Sequence, residues 1–276
     1  MYSRSIWGTF FDAGAVPAIS TSLWIKNTSK FGGILFLSDS LICAISLHSY
    51  YEYVFIADPN MTSKNASHFT IWVDEAGRGA WAGPVVAAAC ALQVGFIYSF
   101  SPLLADSKKL SPKKREMIFG MIQEAISSGT CFWGVSIISS EIIDQVGIRE
   151  ANRLAMEQAI HIVKNQINSQ YDLIQIDGRD NYRFRGIESN QLQYIVRGDS
   201  FIPEIQAASI LAKVSRDHLM MDLAKKYSNY GLEKHKWYGT RLHEKLLLEH
   251  RPSDIHRKTY VPIRKLLIEW GGNYEI

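Results

Sequence analysis

The chain has 276 residues, 47% of them hydrophobic and 21% charged, with a formal net charge of +3. It is long enough to bury a sizeable core and ordinary in composition for a globular fold, which excludes a disordered or fibrous chain. Three scattered cysteines, Cys43, Cys90 and Cys131, offer neither a zinc spacing nor a disulfide framework, so a reducing, cytoplasmic compartment is expected.

Charge and pattern divide the chain near residue 60. Residues 1–60 hold three of the 30 basic and four of the 27 acidic side chains, leaving 27 against 23 in the remainder. That balance is compatible with a phosphate-backbone partner without requiring one. The first sixty residues are rich in aromatics, Ser and Ile and show no sustained helical or strand period. Their most apolar part, Phe31 to Leu47, is broken by Ser38-Asp39-Ser40 and is too short to span a bilayer. Its late position, and Asp12 before it, argue against a signal peptide. Residues 1–60 are therefore expected to be an N-terminal extension, either poorly ordered or the product of a start placed too early, because Met61 opens a polar segment just before the first regular element. A targeting segment and a small accessory domain are the other readings.

From Thr70 the pattern becomes regular. A strand over 70–74 ends on Asp74 and Glu75, a glycine-rich turn follows, and Pro84 to Leu92 forms a second strand that can pair with the first. Neighbouring strand residues face opposite ways, so the two acids converge only if the strand ends or bends there, which Gly77 and Gly79 permit. Two acids beside a backbone that a ligand can approach closely suit a divalent metal held against a phosphate. Lys108 and Lys109 precede a helix with Ser111 as N-cap and Pro112 at its first position, carrying Ile118, Met121, Ile122, Ala125 and Ile126 on one face to about Ser128. A third strand runs over 132–138. Helical sequence starts at Ser139-Ser140, and a longer helix follows Gly147.

Two further strands also leave on acids: 172–178 carries Asp177 before Gly178, and 193–200 carries Asp199. Pro203 opens a helix to about Tyr227 whose first half is apolar on nearly every side, the mark of a buried helix. A glycine turn at Tyr230-Gly231, a basic aromatic loop from Lys234 to Tyr238, and helices over 240–250 and 261–270 complete the chain. With the first strand beside the later parallel ones, Asp74, Glu75, Asp177 and Asp199 come together. Four clustered acids repel one another without a cation, and oxygen-only ligands favour Mg²⁺ or Mn²⁺ over zinc.

Asp74-Glu75-Ala76-Gly77-Arg78-Gly79, followed by Ala82-Gly83-Pro84-Val85-Val86, resembles the opening motif of ribonuclease HII, the bacterial type 2 ribonuclease H. The resemblance continues through Asp106 to Leu110, Ile176-Asp177-Gly178, Gly198-Asp199-Ser200, the block Ala207 to Asp217, His235 to Thr240 and His256-Arg257-Lys258. It implies an α/β ribonuclease H-like fold, with a central mixed five-stranded sheet flanked by helices. Residues 61–227 would form the catalytic core and 228–276 a helical, substrate-binding C-terminal part of the same domain. It further implies a monomeric endoribonuclease that cuts the RNA strand of RNA/DNA hybrids and nicks 5′ of ribonucleotides embedded in duplex DNA, as in ribonucleotide excision repair. Two Mg²⁺ or Mn²⁺ ions would be held by Asp74, Glu75, Asp177 and Asp199. The turn Gly77, Arg78 and Gly79 would read the 2′-hydroxyl, Tyr238 would stack on the following sugar, and Lys108 would meet a phosphate. Trp237 stands where the family usually has glycine, and Asp180-Asn181-Tyr182-Arg183 matches no family pattern. The alternatives are a ribonuclease HIII-like nuclease, which carries lysine in place of Arg78, and a catalytically silent hybrid-binding module.

Overall fold

The computed structural model describes residues 69–270 apart from 94, 169–170 and 232–236, together with four strands earlier in the chain. The part of the basic loop at residues 234–236, with His235 and Lys236 of the resembling segment, lies outside the described residues.

The core is built around a strand of small side chains. Val85–Gln93 reads Val-Val-Ala-Ala-Ala-Cys-Ala-Leu-Gln and is buried on both faces. Alanine leaves room for a helix to approach closely on either side. In chain order the strands are β1 (Trp24–Lys26), β2 (Ile34–Leu37), β3 (Ile42–Leu47), β4 (Tyr50–Ile56), β5 (Phe69–Ala76), β6 (Val85–Gln93), β7 (Cys131–Ile138), β8 (Leu173–Asp177) and β9 (Leu192–Ile195). They form one sheet in the order β1-β2-β3-β4-β7-β6-β5-β8-β9. The expected mixed five-stranded unit is β7-β6-β5-β8-β9. Its first three strands are antiparallel neighbours, and β8 and β9 run parallel to β5.

Two features differ from the sequence reading. The first sixty residues, where no strand period is visible, contribute four antiparallel strands that extend the sheet through β4 and β7. And β5 does not end at Asp74. It continues to Ala76, with Asp74 opposite Ala88 and Glu75 opposite Ala87. The two acids therefore address opposite faces of the sheet instead of converging at a bend.

Six helices cover the described part: α1 (Pro112–Ala125), α2 (Ser140–Val146), α3 (Ile148–Gln166), α4 (Pro203–Lys226), α5 (Arg241–His250) and α6 (Val261–Glu269). Ser111 caps α1 as expected, its hydroxyl accepting from Lys114 N at 3.3 Å. The buried first half of α4 crosses one face of the sheet, where its Glu204 carbonyl meets the Cys90 thiol of β6. On the other face α3 lies so close to β7 that a Cβ at Gly134 would fall 2.6 Å from Ile162 Cγ2. A second, smaller core joins Ala80, Ala82, Met220, Ala224, Tyr230, Trp237, Leu247 and Ile263. It ties α5 and α6 beneath the glycine-rich turn. Among the described residues no helix is long and apolar enough to cross a membrane.

Candidate active site

The parallel pairing of β5 with β8, and of β8 with β9, brings three acids to one end of the sheet. Asp74 lies in β5, Asp177 closes β8, and Asp199 sits in a short turn, Gly198–Ser200, just after β9. That last placement corrects the expectation of a strand over 193–200: the strand stops at Ile195, and Arg197 takes a left-handed conformation at φ +58°. Asp74, Asp177 and Asp199 each offer an oxygen within 4.8 Å of the others. Asp74 Oδ1 accepts from its neighbour's amide, Glu75 N, at 2.7 Å. Asp177 Oδ1 accepts from Gly198 N at 2.6 Å, which locks the Asp199 turn to the end of β8.

Glu75 stands on the other side of β5. Its carboxylate lies 3.8 Å from Arg78 Nη1 and takes a hydrogen bond from Asn152 of α3, whereas Asp74 is bonded by Ser209 of α4. It remains close enough to feel Asp177 electrostatically. The structure thus groups three of the four expected acids tightly and sets the fourth beside them.

Burial makes this arrangement costly without a cation. Burial first, and then the Glu75 and Asp177 charges, hold the Asp74 carboxyl well above the usual range. Burial pushes Glu75 to about 7 although Arg78 pulls it down, and burial followed by the Asp199 charge raises Asp177. Hard oxygen donors clustered at this spacing fit a divalent cation of the Mg²⁺ or Mn²⁺ type. A carboxyl whose folded pKa is raised stabilises the fold fully below its unfolded value, and that stabilisation is lost as pH rises through the folded value. The chelated protein is therefore expected to lose thermal stability as pH rises from about 4.5 to 7, the span of the Glu75 shift. Mn²⁺ should restore it, with a larger gain in Tm at pH 8 than at pH 5. A gain independent of pH would show that these acids do not hold the ion.

The remaining expected residues surround the cluster. Lys108 donates to Asp199 Oδ2 at 2.9 Å, a hydrogen bond that raises the lysine pKa, while most of its side chain stays exposed. The turn needs the first of its glycines. Gly77 has φ +89°, and a Cβ there would lie 2.0 Å from Arg216 Nε. A Cβ at Gly79 would come to 4.0 Å from Tyr238 Cε1, so the tyrosine ring lies beside the turn. Tyr238 is 38% exposed, and the Arg216 guanidinium sits 5.6 Å from its ring centroid.

Several contributors were not singled out from the sequence. Arg257 is fully buried. It donates to the carbonyls of Gly83 (2.9 Å), Arg78 (2.9 Å) and Gly77 (2.8 Å) and to Tyr260 Oη (2.8 Å). Tyr260 Oη itself donates to the Arg78 carbonyl at 2.5 Å. Arg216, also fully buried, donates to Pro84 O at 3.2 Å, and burial pulls it down to about 10. Ser209 and Arg216 are seven residues apart on α4 and so share the face beneath the acids and the turn. Asp180, in the stretch that matched no pattern, accepts from Arg78 Nη1 at 2.5 Å and from Tyr182 Oη at 3.0 Å. The signal for Ser209, Arg216 and Arg257 lay only in the Ala207 to Asp217 and His256-Arg257-Lys258 blocks, and Asp180 and Tyr260 carried none. A buried arginine looks like any surface charge until its partners are known.

A mixed sheet with helices on both faces, and three clustered carboxylates at one end of its parallel strands, defines a metal-dependent nuclease of the ribonuclease H-like class. The ribonuclease HII family profile matches residues 71–262, and the chain belongs to that family. It is an endoribonuclease of RNA/DNA hybrids. A ribonuclease HII of Endomicrobium trichonymphae is 45% identical over 195 residues, covering 71% of this chain and 86% of the relative. Among solved structures, ribonuclease H2 from Pyrococcus horikoshii OT3 superposes with a TM-score of 0.60 at 23% identity, over 74% of this chain and all of that one. Bst-RNase HIII in complex with Mn²⁺ superposes with a TM-score of 0.59 at 15% identity, over 94% of this chain and 93% of that one. These two likenesses show the shared fold.

Proposed function

We propose that this ribonuclease HII nicks duplex DNA on the 5′ side of a single embedded ribonucleotide, as well as cutting longer hybrids, leaving 5′-phosphate and 3′-hydroxyl ends. Such a cut is the opening step of ribonucleotide excision repair. The observation that carries this reading is the junction of two features: three acids with oxygens within 4.8 Å of one another, and a glycine turn whose carbonyls are drawn inward by Arg257.

Asp74, Asp177 and Asp199 would hold two Mg²⁺ or Mn²⁺ ions, with Glu75 completing the set from the other face of β5. Bound there, the ions supply an activated water and neutralise charge on the departing 3′-oxygen. The protein's own part is positioning. In a trans peptide the carbonyl and the following N–H point in opposite directions. With the Gly77 and Arg78 carbonyls turned toward Arg257, the amides of Arg78 and Gly79 are turned away from it, toward the side where a 2′-hydroxyl would be read. Asp180 holds the Arg78 side chain, which keeps it clear of that surface. Tyr238, exposed beside Gly79, would pack on the next sugar, and Lys108 would exchange Asp199 for a substrate phosphate.

The test is cleavage of a labelled duplex carrying one ribonucleotide, with Mg²⁺, Mn²⁺ or chelator, against an all-DNA control. A metal-dependent nick 5′ of the ribonucleotide is expected from the full chain, acting as a monomer, and from residues 61–276. Activity of the full chain alone would give residues 1–60 a working role. A type 3-like preference is the second reading, favoured by the Bst-RNase HIII superposition, whose 94% coverage must include part of the first sixty residues. Cleavage of long hybrids only would select it.

A further inference from the structure

Among the described residues two histidines are fully buried, and they touch each other: His243 Nε2 lies 3.1 Å from His256 Nε2. Such a contact needs one proton, and its neighbours decide which ring carries it. At one end the Ser253 amide, which can only donate, points at His256 Nδ1 at 3.0 Å. His256 Nδ1 therefore accepts, and the proton of its neutral ring sits on Nε2. His243 Nε2 must then accept, which puts the His243 proton on Nδ1. That atom faces the Tyr238 carbonyl, an obligatory acceptor, at 3.1 Å. An amide at one end and a carbonyl at the other thus set a single direction along the chain of hydrogen bonds.

The place where this chain ends is the loop that presents Tyr238. Its carbonyl also accepts from Thr240 N at 2.9 Å, and Thr240 Oγ1 in turn accepts from His243 N at 3.2 Å, capping α5. The preceding carbonyl, of Trp237, accepts from Trp81 N at 2.9 Å. The imidazoles are walled by aromatic rings: Trp81 is 5.6 Å from His243 and Tyr230 is 4.9 Å from His256, centroid to centroid. This shelter strengthens the polar chain and penalises any break in it.

We propose that His256 and His243 act as a directional hydrogen-bonded relay that positions the Tyr238 backbone, and through it the exposed ring, for the substrate. Neither histidine touches substrate; they are positioning residues. The proposal rests on the reading of Tyr238 as a substrate contact, and the experiment separates failure of one from failure of the other.

Asparagine and glutamine both replace the imidazole with an amide. Asparagine keeps a donor at the place of Nδ1, where it reaches the Tyr238 carbonyl, whereas glutamine carries it to the place of Nε2. In the full-length protein with Mg²⁺ and a single-ribonucleotide duplex, His243→Gln is expected to raise KM about tenfold over His243→Asn with similar kcat, the size of one buried hydrogen bond lost. In a Tyr238→Ala background the two variants should coincide, because the relay would have nothing left to position. Equal KM values in the native background, or a difference that persists with Tyr238→Ala, would overturn the relay. If Tyr238→Ala alone leaves KM unchanged, the substrate reading of Tyr238 falls and the relay falls with it. A measurement without variants guards against misfolding. ¹⁵N shifts of the intact protein should show His256 protonated on Nε2 and His243 on Nδ1, and the opposite tautomers would refute the proposal.

Discussion

Asp74→Asn should lower Mg²⁺-dependent cleavage by about a thousandfold or more, the loss expected when several kcal/mol of metal-mediated transition-state stabilisation disappear. The substitution keeps shape and hydrogen bonding: an amide oxygen can still accept from Glu75 N, as Asp74 Oδ1 does at 2.7 Å. What it removes is a charge that lies 5% exposed, next to Glu75 and Asp177. In chelator, therefore, the variant should unfold at the same temperature as the native chain or a higher one, because one of several mutually repelling carboxylates is gone. Steady-state cleavage and thermal unfolding measured side by side decide the matter. Near-native Mg²⁺-dependent activity would remove Asp74 from the metal set, and a collapse in Tm would reassign it to holding the fold.

The second large effect is expected at Arg257. Its guanidinium is fully buried and engages three carbonyls and a tyrosine hydroxyl at 2.8–2.9 Å. Arg257→Met fills much of the volume but takes a charged donor from the Gly77 and Arg78 carbonyls, which keep Ala80 N and Tyr260 Oη, and leaves the Gly83 carbonyl without its guanidinium partner. Losing several charge-assisted hydrogen bonds at once costs about 3 kcal/mol or more. For a chain of this size that is a fall in Tm of roughly 6–12 °C. Arg257→Lys should recover only part of the loss, since one ammonium cannot reproduce the planar fork that spans three acceptors. Both variants should discriminate less sharply between a ribonucleotide and a deoxyribonucleotide at the cut site, because the turn would no longer be held with its amides outward. Native stability together with native discrimination would show that the turn keeps its shape without the clamp.

How far the sequence carried the fold depended on which physical signal each element leaves. Acids at the end of β-prone runs and beside glycine are visible locally, and Asp74, Asp177 and Asp199 stand out as candidates that way. The Ser111 cap and the all-round apolar half of α4 are equally local. Pairing is not local. Nothing in Asp74-Glu75-Ala76 tells that β6 offers Ala88, Ala87 and Val86 to keep the ladder going past both acids. So the sequence suggests an end or a bend where the strand in fact continues. The strands β1 to β4 escaped because neither clean alternation nor a long apolar run marks them. Arg216, Arg257 and Asp180 were missed for a common reason: their meaning lies in partners more than a hundred residues away in the chain.

Trp237 illustrates how a departure from a family pattern can become hard to undo. Its backbone is left-handed at φ +72°, a conformation that suits the glycine usual at this place and disfavours any residue with a side chain. Yet its indole is fully buried, 6.1 Å from both the Tyr227 and His256 rings. Burial of so large a ring offsets the backbone cost. A reversion to glycine would relax the backbone but empty the space that those rings now border, which is the more expensive of the two errors. The position is thus locked by its neighbours: a smaller residue there would be tolerated only together with compensating growth at a bordering ring such as Tyr227.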